Sequence, residues 1–431
     1  MGGALLVTLF IGTILGVTLA SYLLTLRAQH QSVIRSQAWN AALAMAEAGV
    51  DEALAQLNPG IGAGTANRSA NGWPGPAGGL YGPVSRTLSG GSYSVVFTTD
   101  TFPTIYSTGR VTVPLLKTTL TRTVRVATTN AALFTGGLEA IYDVNFGSRG
   151  LYTDSFDSSN PLRSSNGRYP INQPSHIGTN GTVASLFGPV NLGNATINGD
   201  LLLGPTATYS ANNGSVTDDV ANDFSDNFDP VVLPQVTWVP KPVDNATLAA
   251  FDPSDTNIYQ YVIVNSGSYT IPSLKGGLFI APKAVVNLYV AGDARPPAIR
   301  LGGTGPNAAQ LTFYMAGETF SLSGGNMVDS GLAKNFTYYG LPSNTLIKFS
   351  GNAAFTGTIY APSANLVLTG GGEDQYDFVG AAYVKSANLN GHFNFHYDES
   401  LLRAGPMKAY VAKTWHEFFG IQRHTVAPGL D

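Results

Sequence analysis

The side chains with chemical potential are few, and the densest group lies near the C-terminal end. His392, Asn394, His396 and Asp398 alternate along LNGHFNFHYDESL, so an extended strand would turn all four to one face. Two imidazoles and a carboxylate so arranged could ligate zinc. The plainer reading of the row is a polar ladder inside β-structure. Asp154 and Asp157 make one oxygen-rich stretch, and Asp218, Asp219, Asp223, Asp226 and Asp229 make another. Calcium favours carboxylates and carbonyls on a loop, but neither stretch has EF-hand spacing, and solvated Asx-turns use the same residues. Arg300 and Lys348 could act as the base of a polysaccharide lyase, yet no carboxylate pair accompanies them in sequence. There is no G-x-S-x-G, Walker or HExxH pattern. Cysteine is absent, which excludes disulfides, thiolate metal sites and cysteine nucleophiles together. The expectation is no enzyme, no cofactor and no committed metal, with His392, His396, Asp398, Asp154 and Asp157 as the residues to watch.

The elements that would position these groups follow from composition. Only 12% of the 431 residues are charged, while 50 are glycine. Few charges and many small polar residues suit tightly turning β-structure, and 44% hydrophobic residues can bury a sizeable core. A net charge of −4 offers no footprint for nucleic acid.

The first 57 residues differ from the rest. Ala4 to Leu26 is a run of 23 residues without a charge, enough to span roughly 35 Å as a helix. A secretory h-region is shorter and ends in a cleavage site, so a removable signal peptide fits poorly. Arg27 to Leu57 continues without proline until Pro59-Gly60. Trp39, Leu43, Ala46, Val50, Leu54 and Leu57 recur at helical spacing and predict one apolar stripe on an otherwise water-facing helix. Gly12 and Gly16 form a GxxxG pair that lets helices approach, alongside the plainer reading of ordinary glycine use in a span. Leu5, Leu9, Gly12, Gly16 and Leu24, with Trp39, Leu43, Val50, Leu54 and Leu57, are the expected assembly residues. Arg27 and Arg35 follow the span and nothing basic precedes it, which would hold the C-terminal part in the cytoplasm. A basic leader removed ahead of Met1 would resolve that conflict with an exported-looking β-domain.

An apolar half-helix followed by an amphipathic half ending in AMAEAGVDEAL resembles type IV pilin-like proteins, including minor pilins and large pseudopilins. The resemblance covers about the first 60 residues. It implies cleavage by a prepilin peptidase, storage in the inner membrane, and self-association through the helices into an extracellular filament. Members of that family usually carry glutamate at mature position five. With Met1 as the mature end that position is Leu5, as in tip or initiating subunits or a divergent major one.

Pro59 to Gly82 reads as a loop rich in glycine, proline and asparagine. Strands are expected at Ser92–Thr98, Thr104–Val113 and Lys117–Thr128, the last with its two arginines on one face. Together they predict a small antiparallel sheet packed on the helix stripe.

Beyond residue 130 the sequence repeats. GTIYAPSANLVLTG (Gly357–Gly370) returns as GAAYVKSANLNG (Gly380–Gly391), with Tyr360 on Tyr383 and Ser363-Ala364-Asn365-Leu366 on Ser386-Ala387-Asn388-Leu389, at an offset of 23. A looser copy begins at Phe279, and VNLGNATINGDLLLG (Val190–Gly204) looks like an earlier one. A period of roughly 20–25 residues with glycine corners predicts the coils of a β-solenoid. DSFDSSNPL, GTIYAPSANL and LNGHFNFHYDESL together resemble an uncharacterised solenoid-like domain found behind pilin-type N-termini, for which no activity carries over. Met407 to Ile421, with Trp415, Phe418 and Phe419, is expected to form a short capping helix.

The sequence thus predicts an α+β protein: a membrane or filament-core helix (1–58), an antiparallel headpiece (59–130), a solenoid-like β-domain (131–404) and a capping segment (405–431). Its expected role is the structural subunit of a pilus-like filament, with the inner membrane as precursor site. The alternatives are a minor or tip subunit reading a surface glycan or cargo, and a membrane-anchored polysaccharide enzyme.

Overall fold

The computed structural model describes residues 2–64, 66–114, 116–147, 149–325, 327–370, 377–391 and 393–418. The chain separates into two compact units. One comprises Met1–Asn58, Ala66–Asn130 and Tyr410–Asp431; the other comprises Pro59–Thr65 and Ala131–Ala409.

The first unit is a helix on a sheet. Helix α1 (Gly2–Leu57) runs 56 residues without a break, about 84 Å at 1.5 Å per residue. Strands β1 (Leu80–Leu88), β2 (Gly91–Thr98), β3 (Thr104–Thr112) and β4 (Thr119–Ala132) form an antiparallel meander in that order, with Met407–Phe418 as the fifth strand beside β4. Ala46, Val50, Ala53 and Leu57 pack on Tyr93, Val95, Phe97, Ile105, Val124 and Val126, with Trp73 closing the core. Ala38 and Ala42 pack on Val111 and Val113.

The buried line of α1 is therefore Ala38–Ala42–Ala46–Val50–Ala53–Leu57, which keeps Ala46, Val50 and Leu57 of the expected stripe and has Ala38, Ala42 and Ala53 in place of Trp39, Leu43 and Leu54. Trp39 is 37% exposed, and Leu43 and Leu54 lie half-buried along the flanks. The cause is distance. A side chain added at Gly109 of β3 would meet the Ala42 carbonyl at 2.0 Å, and one at Gly49 would meet Ser107 Oγ at 2.2 Å. The helix lies directly on strand backbone, and only small residues fit between.

Three further expectations are corrected here. Leu80–Leu88, with Pro83 inside it, is a strand although its first three residues fall in the expected loop Pro59–Gly82. The β1–β2 register shifts between Tyr81 and Val84, and an edge bulge of this kind tolerates a residue without an N–H. Arg122 and Arg125 are three apart, so a strand sends them to opposite faces. Arg122 is buried over the Trp39 ring (4.9 Å) and pairs with Glu417, while Arg125 is exposed. Finally, Met407–Phe418 is a strand and not a capping helix; Phe419 to Ile421 lie outside the described residues. Its β-branched and aromatic residues suit a pleated surface, and the free edge of β4 supplies the partner. Asn58 holds it as well: its Nδ2 donates to the Tyr410 carbonyl (2.9 Å) and its Oδ1 accepts from the Tyr410 amide (2.7 Å).

The second unit is a large parallel sheet, so the chain as a whole is α+β with a mostly-β body. Most strands pair in parallel with one two or three strands further along, while Leu346–Gly351, Ala354–Gly370, Phe378–Leu389 and Phe395–Asp398 pair in direct succession. Val286, Leu311 and Phe336 stand in one column, as do Phe355, Phe378 and Phe395, whose rings stack at 4.7 and 4.2 Å. The SANL copies do not keep one offset. Gly357↔Gly380 and Tyr360↔Tyr383 pair at 23, but after a shift between Ala361 and Asn365 the pairs are Asn365↔Ser386 and Leu366↔Ala387, at 21. A shift of two preserves the alternation of a strand, so Leu366, Leu368, Ala387 and Leu389 all stay inside.

The order of strands in space differs from their order in the chain. Phe378–Leu389 pairs with Leu138–Ala140 and Val144–Phe146, and Phe395–Asp398 pairs with Arg149–Phe156. The first strands of this unit thus continue the sheet beyond the last ones. Residues 222–238, between the strands Val220–Ala221 and Val239–Pro240, make the return. They run along a column of tyrosines, Tyr289, Tyr314, Tyr339, Tyr360 and Tyr383, that ends on Glu139. Trp238 lies 5.8 Å from Tyr289 and 5.9 Å from Tyr314, Tyr360 donates to the Asp229 carbonyl (2.8 Å), and Phe228 lies 6.0 Å from Tyr383.

Candidate functional site

The largest chemical anomaly is the uncovered apolar half of α1. Leu5, Leu9 and Leu24 are 77%, 70% and 67% exposed, and Gly12 and Gly16 have nothing within 4 Å of the place a Cβ would occupy. The segment is long and apolar enough to cross a membrane, and none of its most apolar stretch is buried in the protein. The threonine hydroxyls of this stretch are satisfied on the helix itself: Thr8, Thr13 and Thr18 donate to Leu5, Phe10 and Leu15 carbonyls at 2.9, 2.8 and 2.9 Å, and Thr25 to the Ser21 carbonyl at 3.0 Å. Such a surface suits lipid or other apolar helices. The expected assembly residues therefore divide. Leu5, Leu9, Gly12, Gly16 and Leu24 are free for a partner, Val50 and Leu57 are spent on the sheet, and Trp39, Leu43 and Leu54 lie between.

The expected metal candidates are placed differently from one another. His396 is fully buried, its Nδ1 2.6 Å from Asp154 Oδ1 and its Nε2 3.3 Å from Asp377 Oδ2. Tyr169 stacks on the imidazole at 3.5 Å and donates to Asp154 Oδ2 at 2.7 Å. Burial opposes a charge on this ring, but the Asp154 and Asp377 carboxylates outweigh it and hold the imidazole up to about 9. Asp398 accepts from the Ser158 and Ser400 amides, both at 3.0 Å, and burial pushes its carboxyl up. Asp157 accepts from Ser159 and from Arg403 at 2.6 Å. Burial would raise its carboxyl, but these bonds hold it down. His392 lies outside the described residues. Among the described residues no group of three His, Cys, Asp or Glu is placed to hold a metal. What the arrangement does is fasten strands: His396 sits on Phe395–Asp398, Asp154 on Arg149–Phe156, where the last strands of the unit meet the first.

Sequence reading missed the partners of Arg300. It lines a cavity of about 670 Å³ with Asp255, Tyr259, Met327 and Asp329, and its guanidinium holds Asp255 at 2.7 Å and Asp252 at 2.8 Å. Ser254 and the Arg300 guanidinium keep Asp252 down at about 2, and the paired arginine is itself pushed up. These charges are committed to one another, which suits recognition of hydroxyls better than proton transfer. No signal in sequence joins Asp252 to Arg300, and none joins Asp377 or Tyr169 to His396. Glu139 had one: it is the single acid in the apolar run GGLEAIY (Gly136–Tyr142).

Residues 243–404 match a family described as Domain of unknown function (DUF7305). No curated protein matches the chain. Among solved structures, the competence-associated pilin ComZ from Thermus thermophilus aligns over 88% of this chain and 97% of its own at 12% identity. Its TM-score of 0.28 is too low to carry an argument about fold or role.

Proposed function

We propose that this chain is the structural subunit of an extracellular, type IV pilus-like filament. The first half of α1 packs with the same segment of other copies, and the second half carries the antiparallel headpiece. The parallel body, which we read as a β-solenoid, is displayed outward. The observation that carries this reading is the division of α1: one unbroken helix of 56 residues, seated on a sheet at one end and uncovered and apolar at the other. The AMAEAGVDEAL resemblance supports it from sequence. Before assembly the same segment is held in the inner membrane, long enough to span it. Lateral packing in the filament returns about 25 cal/mol for each Å² of apolar surface removed from water. Electron microscopy of fibres sheared from cells, with labelling against residues of the parallel body, tests it. Labelled filaments are expected, and an unlabelled or fibre-free surface in cells that make the protein would overturn it.

A second reading, a tip subunit that reads a surface glycan, is favoured by the Arg300 cavity. Its volume falls in the usual range for small-ligand sites, and it combines committed charges with the apolar Ile258, Pro297 and Met327. Glycan-array binding that is lost in Arg300→Ala while the fold persists would support that reading; equal binding by both proteins would refute it.

A further inference from the structure

Lys408, Asp226 and Glu139 come from three distant parts of the parallel unit. Lys408 lies on the strand Met407–Phe418, Asp226 on the return segment 222–238, and Glu139 on the strand Leu138–Ala140. Lys408 Nζ is in direct contact with Asp226 Oδ1, both side chains about three-quarters removed from solvent, at 24% and 22% exposure. Glu139 is 2% exposed. Its Oε1 accepts from the Tyr383 hydroxyl and from Thr135 Oγ1 at 3.3 Å, while its Oε2 is buried without a hydrogen-bond partner. Phe134 packs edge-on against Tyr383 at 5.0 Å, and the Phe228 ring of the return segment lies 6.0 Å from it.

A buried acid with one oxygen unused is costly unless it has a task. This carboxyl is pushed up to about 8: burial is the largest cause and the Asp226 charge adds to it, against the bonds from Tyr383 and Thr135 and the Lys408 charge. Burial thus favours the neutral form of Glu139, and the lysine–aspartate pair is near enough to act on it. An amine and a carboxylate in direct contact, with a buried acid near enough to feel both charges, are the components of a condensation.

We propose that Lys408 and Asp226 join covalently in an intramolecular isopeptide bond, with Glu139 relaying the protons. A proton passes from the Lys408 ammonium to the Asp226 carboxylate, leaving an amine and a carboxylic acid in contact. The amine nitrogen attacks Asp226 Cγ and forms the new N–C bond. Glu139 gives its proton to the departing hydroxyl and takes one from the attacking nitrogen, so a C–O bond breaks and water leaves. The sum is ammonium plus carboxylate giving amide plus water, with Glu139 unchanged and no oxidant or cofactor consumed. The bond would close a loop between residues 182 apart and fix the return segment to the strand that leaves the unit. The inference is independent of the filament reading, because it concerns bonds inside one chain.

Mass spectrometry of the full chain, purified in detergent and then denatured, tests it. The expected mass is lower than the sequence mass by one water, and fragmentation of a digest should find Lys408 branched onto Asp226. Lys408→Ala and Asp226→Ala should each restore the sequence mass. Glu139→Gln keeps both reacting groups and the Tyr383 contact, so it should restore that mass in a folded protein, as judged by circular dichroism. A wild-type chain at the sequence mass, with Lys408 open to amine reagents after unfolding, would overturn the proposal. So would a water loss mapped to any other residues, and a Glu139→Gln protein that still forms the bond would overturn the role of Glu139.

Discussion

Gly109→Ala adds one methyl group at the point where α1 lies on β3. That methyl would stand 2.0 Å from the Ala42 carbonyl oxygen, 2.5 Å from the Ala46 nitrogen and 2.9 Å from Met45 Cβ. Two of the three are backbone atoms of a long helix and cannot rotate away. Restoring an ordinary 3.4 Å contact from 2.0 Å requires the helix to lift by about 1.4 Å. A gap of that size removes much of the dispersion between Ala46, Val50, Ala53 and the sheet. The cost should reach the upper end of overpacking, about 3 kcal/mol. For a domain of 150–250 residues that lowers Tm by roughly 6–12 °C. The assay is thermal unfolding read by Trp73 fluorescence, since this indole is buried in the same core 4.9 Å from Phe97. Hydrogen exchange of peptides covering residues 38–57 reads the same loss locally. Gly75→Ala, which meets nothing within 4 Å, is the control. If Gly109→Ala melts within about 0.5 kcal/mol of wild type and 38–57 stays protected, the close seating of the helix is refuted.

Other perturbations separate the parts of the account. Gly49→Ala should cost less than Gly109→Ala in the same melt, because its methyl meets the side chains of Ser107 and the buried Tyr93 and no backbone atom, and alanine gains about 1 kcal/mol of helix propensity. Asn58→Ala removes both bonds to the Tyr410 backbone and should cost about 1–3 kcal/mol, with faster exchange confined to the strand Met407–Phe418. His396→Ala leaves Asp154 and Asp377 buried without their shared partner and should cost about 3–5 kcal/mol in urea unfolding near pH 6. Because the imidazole is raised from 6.5 to about 9 by folding, its contribution is complete below pH 6.5 and disappears as pH rises through 9. The gap between wild type and variant should therefore narrow over that window; a gap that widens with pH would contradict a charged, carboxylate-held His396.

The helix was legible because its signals are local: a charge-free run, a second half without proline, and a Pro59-Gly60 stop. The strands near 92–98, 104–112 and 119–132 were legible for the same reason. The seat of the helix was not. Hydropathy ranks Trp39, Leu43 and Leu54 above Ala38, Ala42 and Ala53, but a helix lying on bare glycine backbone selects for small size. The repeat gave the pairing of Tyr360 with Tyr383, and the bulge after Ala361 hid the rest of the register. Stacking order was invisible, since a period says which strands are alike and not which end of the series meets the other. The same long return brings Asp154 to His396 across 242 residues and Asp226 to Lys408 across 182, distances no motif spans.

The central claim is that the first half of α1 packs against its own copies. The chain contains no cysteine, so each single cysteine introduced there reports on its own surroundings. Leu9→Cys, Gly16→Cys and Leu24→Cys should each give oxidised, disulfide-linked chains in fibres sheared from the cell surface, while Gly75→Cys on the headpiece should not. Fibres in which the helix cysteines stay free, or a protein found solely as uncrosslinked chains in the membrane fraction, would contradict the account.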